Sequence, residues 1–476
     1  MRVLLFHGYM LRGTGSNIYN VNLAAALARL GHEVHLLCQD RETKIEGVEI
    51  HNPDIHGLLP VYVKDPYEGF KVKAFPELTD AELDRYIDAN VAAVREVAER
   101  AGAIDAALAN HLVMGPAILA RADVGPFAAK IHGSALEYTV KPHPRFLPYA
   151  EEGMNAASGV LVGSRHTAES LWAALPNVGG LEEKTRLGPP GLDPEKFRPG
   201  GRAGVPLNFF GDATAADPRR ATEKVQDAPP LPGPPARIVF VGKLIVSKGV
   251  DLLIAAWPLV HSQHPEARLQ VAGFGEYEQG LRRLLAALDR GDLDDAREVA
   301  RLGRGLEGGE GEPLSILSAF LADPPDGYLE AARGIAGSVE WLGRLEHDEV
   351  AELLPGAEAL VMPSTFPEAF GMVAAEAAAC GVLPVSAGHS GMLEVSRQLA
   401  AELPPEVGSL TSFPVESGAV EAIAVRLNAW LGLPEAEREA VRPELAETAR
   451  RLWSWEGVAR GVTAASRGEL DRLPLA

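Results

Sequence analysis

The sequence predicts an α/β protein of two Rossmann-like domains whose parallel sheets face a central cleft. Three observations carry this. Short apolar runs alternate with helix-length stretches over residues 1–199. A second series of the same kind begins at residue 237 and runs to about 450. Between them, residues 200–236 turn to Gly, Pro, Ala and charge and end in DAPPLPGPPA, the composition of a linker or surface insertion.

In the first series RVLLFHG reads as a buried strand, NIYNVNLAAALARLG as a helix closed by Gly31, and HEVHLLC as a second strand. AALAN, FAAKIHG and GVLVGS read as short strands ending in small or polar residues, separated by helical stretches such as AELDRYIDANVAAVREVAERAG. The second series runs through ARIVFVGK, RLQVAGFG, VEWLGR, EALVMPS and VLPVSAG. Residues 286–335 interrupt it with a charged, Gly-rich stretch and the apolar PLSILSAFLA. A helical decoration is expected there ahead of a lid or an oligomer contact. Residues 451–476 read as one C-terminal helix carrying Trp453 and Trp455, placed to pack back on the first domain.

Composition bounds the partners. The net charge of −20 opposes broad attraction to nucleic acid or anionic membrane, while leaving room for a local basic pocket. The two cysteines, Cys38 and Cys380, lie far apart with no CxxC spacing, so neither a disulfide framework nor a zinc site is implied and a reducing cytoplasm fits. The run VLLF is too short for a signal peptide, and no stretch approaches the roughly 18 apolar residues of a membrane span.

The chemistry concentrates in PSTFPEAFGMVAAEAAACG, where Glu368 and Glu376 bracket a strand-to-helix turn. Open α/β sheets bind ligands at such turns. Eight residues of continuous helix rise about 12 Å. A glycosidase pair needs its carboxyls about 5–9.5 Å apart across one bond. Two contacts along an extended ligand fit this spacing better. Phe370, Gly371, Met372 and Val373 open the helix, with amides free for hydroxyl or phosphate oxygens. An acidic helix start meeting its own dipole explains Glu368 acceptably and Glu376 less well. Upstream, Lys243 and Lys248 in VFVGKLIVSKG stand in a loop at a helix start: a compact cationic pocket for a diphosphate, or equally two exposed loop lysines.

In the first domain, Gly13 and Gly15 of LRGTGSNIYN let backbone approach an anion at a helix start, although a plain structural turn serves as well. Ile18 stands where a GxGxxG loop has its third glycine. Asp40 closes the second strand, where a dinucleotide fold places its ribose-binding acid. His132, followed by Gly133, Ser134 and Glu137, ends a strand at the crevice, placed to meet a sugar hydroxyl or move a proton. His111 has the same placement with weaker support, and Arg165 is a further cleft candidate more commonly just solvated.

Together these segments resemble a known family. GKLIVSKGVDLLIAAW, VAGFGE, WLGRL and MPSTFPEAFGMVAAEAAACGVLPV are similar to the nucleotide-sugar half of a GT-B glycosyltransferase of family 4 (glycosyl transferases group 1). LRGTGSNIYNVNLAAALARLGHEVHLL, KIHGSALEY and GPPGLDPEKFRP resemble its other half. The resemblance implies a GT-B architecture and transfer of a sugar from a nucleoside diphosphate with retention, without a metal or other cofactor. It assigns the diphosphate to Lys243 and Lys248, the donor sugar to Glu368 with the amides of Gly371, Met372 and Val373 nearby, and the ribose to Glu376. It gives His132 a catalytic place beside the reacting carbon, lets Gly13 and Gly15 reach the donor phosphate, and sets Arg344 by the base. Acceptor choice, for a sugar, lipid or small molecule, falls to loops such as KDPYEGFKVKAF and TVKPHPRFLPY, whose aromatic residues grip a ligand or pack locally. The competing readings are a nucleotide-sugar epimerase on the same fold, a dinucleotide-dependent oxidoreductase resting on Asp40 and the glycine loop, and a non-catalytic nucleotide-sugar sensor.

Overall fold

The computed structural model describes residues 1–12, 15–62, 67–200 and 235–476. Gly13, and nearly all of the 200–236 stretch read as a linker, lie outside the described residues. Among the described residues fifteen strands form two large parallel sheets and one small pair. In chain order they are β1 (Arg2–Phe6), β2 (Glu33–Leu37), β3 (Val48–His51), β4 (Leu58–Val61), β5 (Lys71–Ala74), β6 (Ala106–Asn110), β7 (Phe127–Ile131), β8 (Gly159–Val162), β9 (Thr185–Leu187), β10 (Arg237–Val241), β11 (Arg268–Ala272), β12 (Val339–Gly343), β13 (Ala359–Met362), β14 (Leu383–Ala387) and β15 (Ser412–Phe413).

The first sheet runs β3-β2-β1-β6-β7-β8-β9 and the second β12-β11-β10-β13-β14-β15, with β4 and β5 paired apart. Both are α/β sheets covered by helices, so their central strands are buried on both faces and read as continuous apolar runs rather than alternations. In each sheet the strand order reverses once, beside β1 and β6 in the first and beside β10 and β13 in the second. Loops leaving the carboxyl ends of such neighbours diverge and open a crevice. That topology collects His7, His111 and the helix Gly15–Arg29 at one crevice, and the Lys243–Lys248 loop and Ser364–Phe370 at the other.

Among the described residues the chain crosses between the domains twice. On the way out, Leu192 and Phe197 already pack in the second domain's core, although both lie inside the 1–199 span assigned to the first. On the way back, the single C-terminal helix read from sequence is two helices, Glu435–Trp453 and Trp455–Ser466. Ser454 is extended (φ −67°, ψ 143°) and its hydroxyl accepts from Gly457 N at 3.3 Å, so it caps the second helix instead of continuing the first. Trp455, Ala459, Val462 and Ala465 then bury against Val3, Leu5 and Leu161 of the first sheet. The 286–335 region forms helices Leu293–Leu302, Ser315–Ala322 and Tyr328–Ala332, whose Val299, Leu317, Phe320 and Tyr328 join the second core. Among the described residues no helix is long and apolar enough to cross a membrane.

Candidate active site

The second domain's half of the site follows from the pairing of β10 with β13. The turn Val246–Lys248 after β10 is tied to the loop after β13 by Thr365 N donating to Ser247 O at 3.0 Å. Gly249 (φ +64°) makes this approach possible, because a Cβ there would sit 2.0 Å from Pro363 O. Lys248 is thereby delivered to Glu368, and the two form a close ion pair. Ser364 Oγ also donates to Glu368 Oε1, at 2.8 Å. The Glu368 backbone is fixed from the next loop: its N–H donates to Ser390 Oγ at 2.8 Å and its carbonyl accepts from Gly391 N at 2.8 Å. Lys243 stands exposed on the same loop.

The helix begins at Met372, with Gly371 as its N-cap and no side chain capping it. The first backbone bond into it is Ala375 N to Gly371 O, so the amides of Met372, Val373 and Ala374 have no intrahelical acceptor and point towards the crevice end. Phe370 precedes the helix and lays its ring edge-on to Trp453, with centroids 6.0 Å apart; it is a packing anchor for the turn. Glu376 lies one turn further on, buried, with Oε1 accepting from His347 Nε2 at 2.9 Å. Arg344 is exposed, pairs with Glu346 at 3.0 Å and lies over the Phe274 ring at 5.1 Å, off the helix-start cluster.

The first domain's half is a hydrogen-bonded row of histidines and asparagines at the carboxyl ends of β1, β6 and β7. His132 Nε2 meets Asn110 Oδ1 at 2.9 Å; Asn110 Nδ2 donates to Asn20 Oδ1 at 2.7 Å; Asn20 Nδ2 lies 3.0 Å from His7 Nδ1. Burial holds His132 well below the usual histidine range, reinforced by His111, Lys130 and His7, and burial pulls His7 down to about 4. Both rings are therefore neutral at physiological pH. His111 is buried at φ +67° beside His132, with ring centroids 4.8 Å apart. Gly15 opens the helix Gly15–Arg29, and among the described residues outside its own turn nothing stands within 4 Å of where its Cβ would be. No motif in the sequence singles out Asn110, Asn20 or His7; for Asn110 and His7 the available signal is a polar residue closing an otherwise apolar buried strand, and for Asn20, inside the helix Gly15–Arg29, there is none.

Three other candidates resolve differently. Asp40 is engaged by its own chain: Oδ1 accepts from Glu42 N and Thr43 N at 2.9 and 2.8 Å, and Oδ2 lies 3.4 Å from Arg12 Nε. Burial alone would raise its carboxyl; the amides of Thr43, Glu42 and Leu11 outweigh that and hold it below the usual range. The ribose-binding role on which an oxidoreductase would rest is thus unavailable to Asp40. Arg165 works across the cleft: its N–H donates to Glu394 Oε1 at 3.1 Å and its guanidinium to Glu169 and to Ala476 O. Next to it, a Cβ on Gly163 would come 2.5 Å from Ala369 O, so the two crevices close directly on one another. In the proposed acceptor loops, of which residues 64–66 lie outside the described residues, Phe75 and Phe146 are fully buried and meet edge-on at 6.2 Å, which is local packing.

Among the described residues the one cluster with metal-ligand chemistry is His35, Glu49 and His51, on β2 and β3. His35 Nδ1 and His51 Nε2 are 3.1 Å apart and the ring centroids 5.4 Å, which puts both nitrogens nearly on the line between the rings. That is an N–H···N hydrogen bond; ligands of one ion converge on a point off that line.

Comparison with known proteins agrees with this geometry. A family model described as Glycosyltransferase Family 4 matches residues 13–196, and two described as Glycosyl transferases group 1 match residues 235–302 and 328–445. The chain is 26% identical over 390 residues to a D-inositol 3-phosphate glycosyltransferase of Geodermatophilus obscurus, covering 79% of this chain and 71% of the relative. It is 27% identical over 269 residues to a GDP-mannose-dependent monoacylated alpha-(1-6)-phosphatidylinositol monomannoside mannosyltransferase of Corynebacterium glutamicum, covering 55% of this chain and about half (54%) of that one. The solved structure of Anabaena HepE in complex with UDP superposes with a TM-score of 0.57 at 15% identity, over 99% of this chain and 100% of that chain, which is a likeness of fold. With each half of the cleft matched by the corresponding half of the family, the chain belongs to the glycosyl transferases of group 1 and family 4: it is a glycosyltransferase of the GT-B fold.

Proposed function

We propose that this chain moves a sugar from a nucleoside-diphosphate sugar to an acceptor held against the first domain, with retention of anomeric configuration and no requirement for a metal ion. The observation that carries this is the convergence of Lys248 with the open amides of Met372, Val373 and Ala374 at the β10/β13 switch point. A departing diphosphate needs positive charge and oriented donors fixed in advance, and this corner supplies both, with Lys243 at its rim. Glu368 then reads as the contact to donor sugar hydroxyls, Glu376 as the ribose contact, and Gly15 as a close backbone approach to the phosphate, with Arg344 on the base side. His132 faces them from the first domain.

Given retention, the carboxylates present support a same-face route over a covalent glycosyl-enzyme. Glu368 is committed to Lys248, Ser364 and, through its backbone, Ser390, which suits a positioning group better than a covalent nucleophile. The reaction is then a same-face exchange: the sugar–phosphate C–O bond breaks, a C–O bond to the acceptor hydroxyl forms, and the acceptor's proton leaves with the diphosphate. The close approach of Gly163 to Ala369 supports a cleft that keeps water from the exchange. A cavity of about 480 Å³ at the carboxyl ends of β2 and β3, lined by Gln39, Arg41, Glu42, Asp54 and Glu68, is the acceptor-side counterpart. The UDP complex of HepE makes uridine donors the first to try. The test is thermal shift with UDP-, GDP- and ADP-sugars, with and without chelator, followed by turnover with product anomer assignment. Stabilisation by one donor class, unaffected by chelator, is expected; stabilisation by none removes the reading.

A further inference from the structure

The row of side chains behind His132 fixes more than its position. Each amide in it touches a backbone carbonyl, which has only one polarity. Asn110 Nδ2 lies 3.2 Å from Phe6 O, Asn20 Nδ2 lies 2.8 Å from Ser16 O, and Asn17 Nδ2 lies 2.5 Å from Arg12 O. A carbonyl accepts only, so in all three residues the nitrogen must be on that side and the oxygen on the other. His7 Nε2 lies 3.1 Å from Met10 O and 2.9 Å from Asn17 Oδ1, two acceptors, so it carries the proton. In the neutral ring Nδ1 is then a lone pair, and it accepts from Asn20 Nδ2. Asn20 Oδ1 accepts from Asn110 Nδ2, and Asn110 Oδ1 is left facing His132 Nε2.

One polarity therefore runs from the backbone of β1 and its following loop to the far end of the row. We infer that Asn110 is a positioning residue that holds His132 as the Nε2–H tautomer, so that Nδ1 enters the cleft as a lone pair and accepts a hydrogen bond from a substrate hydroxyl. Nδ1 has no partner among the described residues, and His132 is only partly buried, whereas neighbouring His111 is buried with both nitrogens unpartnered. The register of the sheet places the pair: Asn110 is opposite Lys130, and His132 lies two residues beyond on the same face. The same row is continuous with the helix Gly15–Arg29, through Asn17 and Asn20, so the tautomer is set by the helix that opens the first crevice.

The consequence is chemical selectivity. A lone pair at Nδ1 rewards an O–H donor and repels a carbonyl or carboxylate oxygen placed at the same point. His132 is then a hydrogen-bond acceptor in the ground state and is not the acid that protonates the departing diphosphate. This deepens the proposed function, since it rests on His132 facing the reacting sugar, yet the tautomer itself is measurable without any donor.

The test has two arms on the full chain. Nitrogen NMR of histidine-labelled protein, with His132 assigned by its loss in His132→Gln, is expected to show a pyridine-like Nδ1 and a pyrrole-like Nε2. A pyrrole-like Nδ1, or a doubly protonated ring at neutral pH, overturns the inference whatever the enzyme's substrate proves to be. In the second arm, Asn110→Ala is expected to lower kcat several-fold while leaving the affinity for the nucleoside diphosphate within twofold, and to lose the tautomer signature. Asn110→Ser, which keeps a short hydroxyl acceptor, is expected to recover part of both. Unchanged kcat in Asn110→Ala, or equal losses of kcat and nucleotide affinity, would show Asn110 to be purely structural. Should Asn110→Ala fail to fold, the spectrum of the unaltered protein still decides the question.

Discussion

Trp453 and Trp455 stand two residues apart and bury their rings in different domains. Trp453 lies in the second core, edge-on to Phe370 of the donor-side turn. Trp455 lies in the first core, edge-on to Tyr19 at 5.5 Å, and Tyr19 in turn meets His132 at 5.2 Å. A Cβ on Gly191 would come 2.5 Å from the Trp455 ring, so the outgoing crossover is packed against the returning one. Truncating a buried tryptophan costs about 3–5 kcal/mol. Trp455→Ala is expected to destabilise the first domain by that order, seen as an early transition in urea unfolding, while nucleotide binding by the second domain survives. Loss of nucleotide binding in native buffer would show that the domains do not stand apart energetically.

The break between these residues also marks where sequence reading stops. Both flanks have helical composition, and only the need to reach two separate cores explains why Ser454 caps rather than continues. The central strands and the Glu368–Glu376 turn were legible because burial on both faces and a strand-to-helix change leave local signatures. The small strands β4 and β5 were not, since LLPV and KVKA carry a proline and two lysines. The partnership of Asn110 with His132 was invisible for another reason: it depends on the register of β6 against β7, a long-range property. Likewise Ser364, Ser390 and Lys248 meet Glu368 only because β10 pairs with β13 and β13 with β14.

Lys248 is held by Glu368, and both side chains are about three-quarters buried. A bound diphosphate has to share or take that lysine. Glu368→Gln keeps the shape and the Ser364 contact and releases the cation. Nucleoside diphosphate affinity is expected to stay equal or tighten by up to about tenfold, roughly 1.4 kcal/mol. Turnover is expected to fall by about two orders of magnitude, as for loss of one preorganised site contact. Calorimetry beside steady-state kinetics separates the two effects; weaker nucleotide binding would mean that Glu368 pre-organises Lys248 instead of competing for it.

The helical addition of the second domain touches this corner. Glu307 Oε2 accepts from Val246 N at 2.8 Å, at the head of the Val246–Lys248 turn, and Arg304 holds the other oxygen. A hydrogen bond to a charged group is worth about 1.5–3 kcal/mol. Glu307→Ala is expected to raise the donor KM several-fold with little change in kcat at saturation. Glu312→Ala, which removes a second partner of Arg304 without touching the turn, is the control. Equal kinetics in both variants would make the addition a bystander.

Lys130 is buried in β7, donates to Gly188 O, and lies over the Tyr19 ring at 5.6 Å, with no ion-pair partner among the described residues. Burial pushes it down to about 7. An unfolded lysine titrates near 10.4. Between those values the unfolded chain holds a proton that the folded chain has released, so stability rises with pH across that window. Below about 7 both states are protonated and the cost of burying the cation is fully present. Lys130→Met keeps the volume and removes the titration. The variant is expected to be more stable than the unaltered protein at pH 6, with the gap narrowing by at most about 1.4 kcal/mol per pH unit above 7. Urea unfolding at pH 6, 7.5 and 9 measures the difference between the two proteins, in which the other titrating groups cancel. Parallel profiles across that range would place the Lys130 ammonium in contact with water and its titration near the ordinary lysine value.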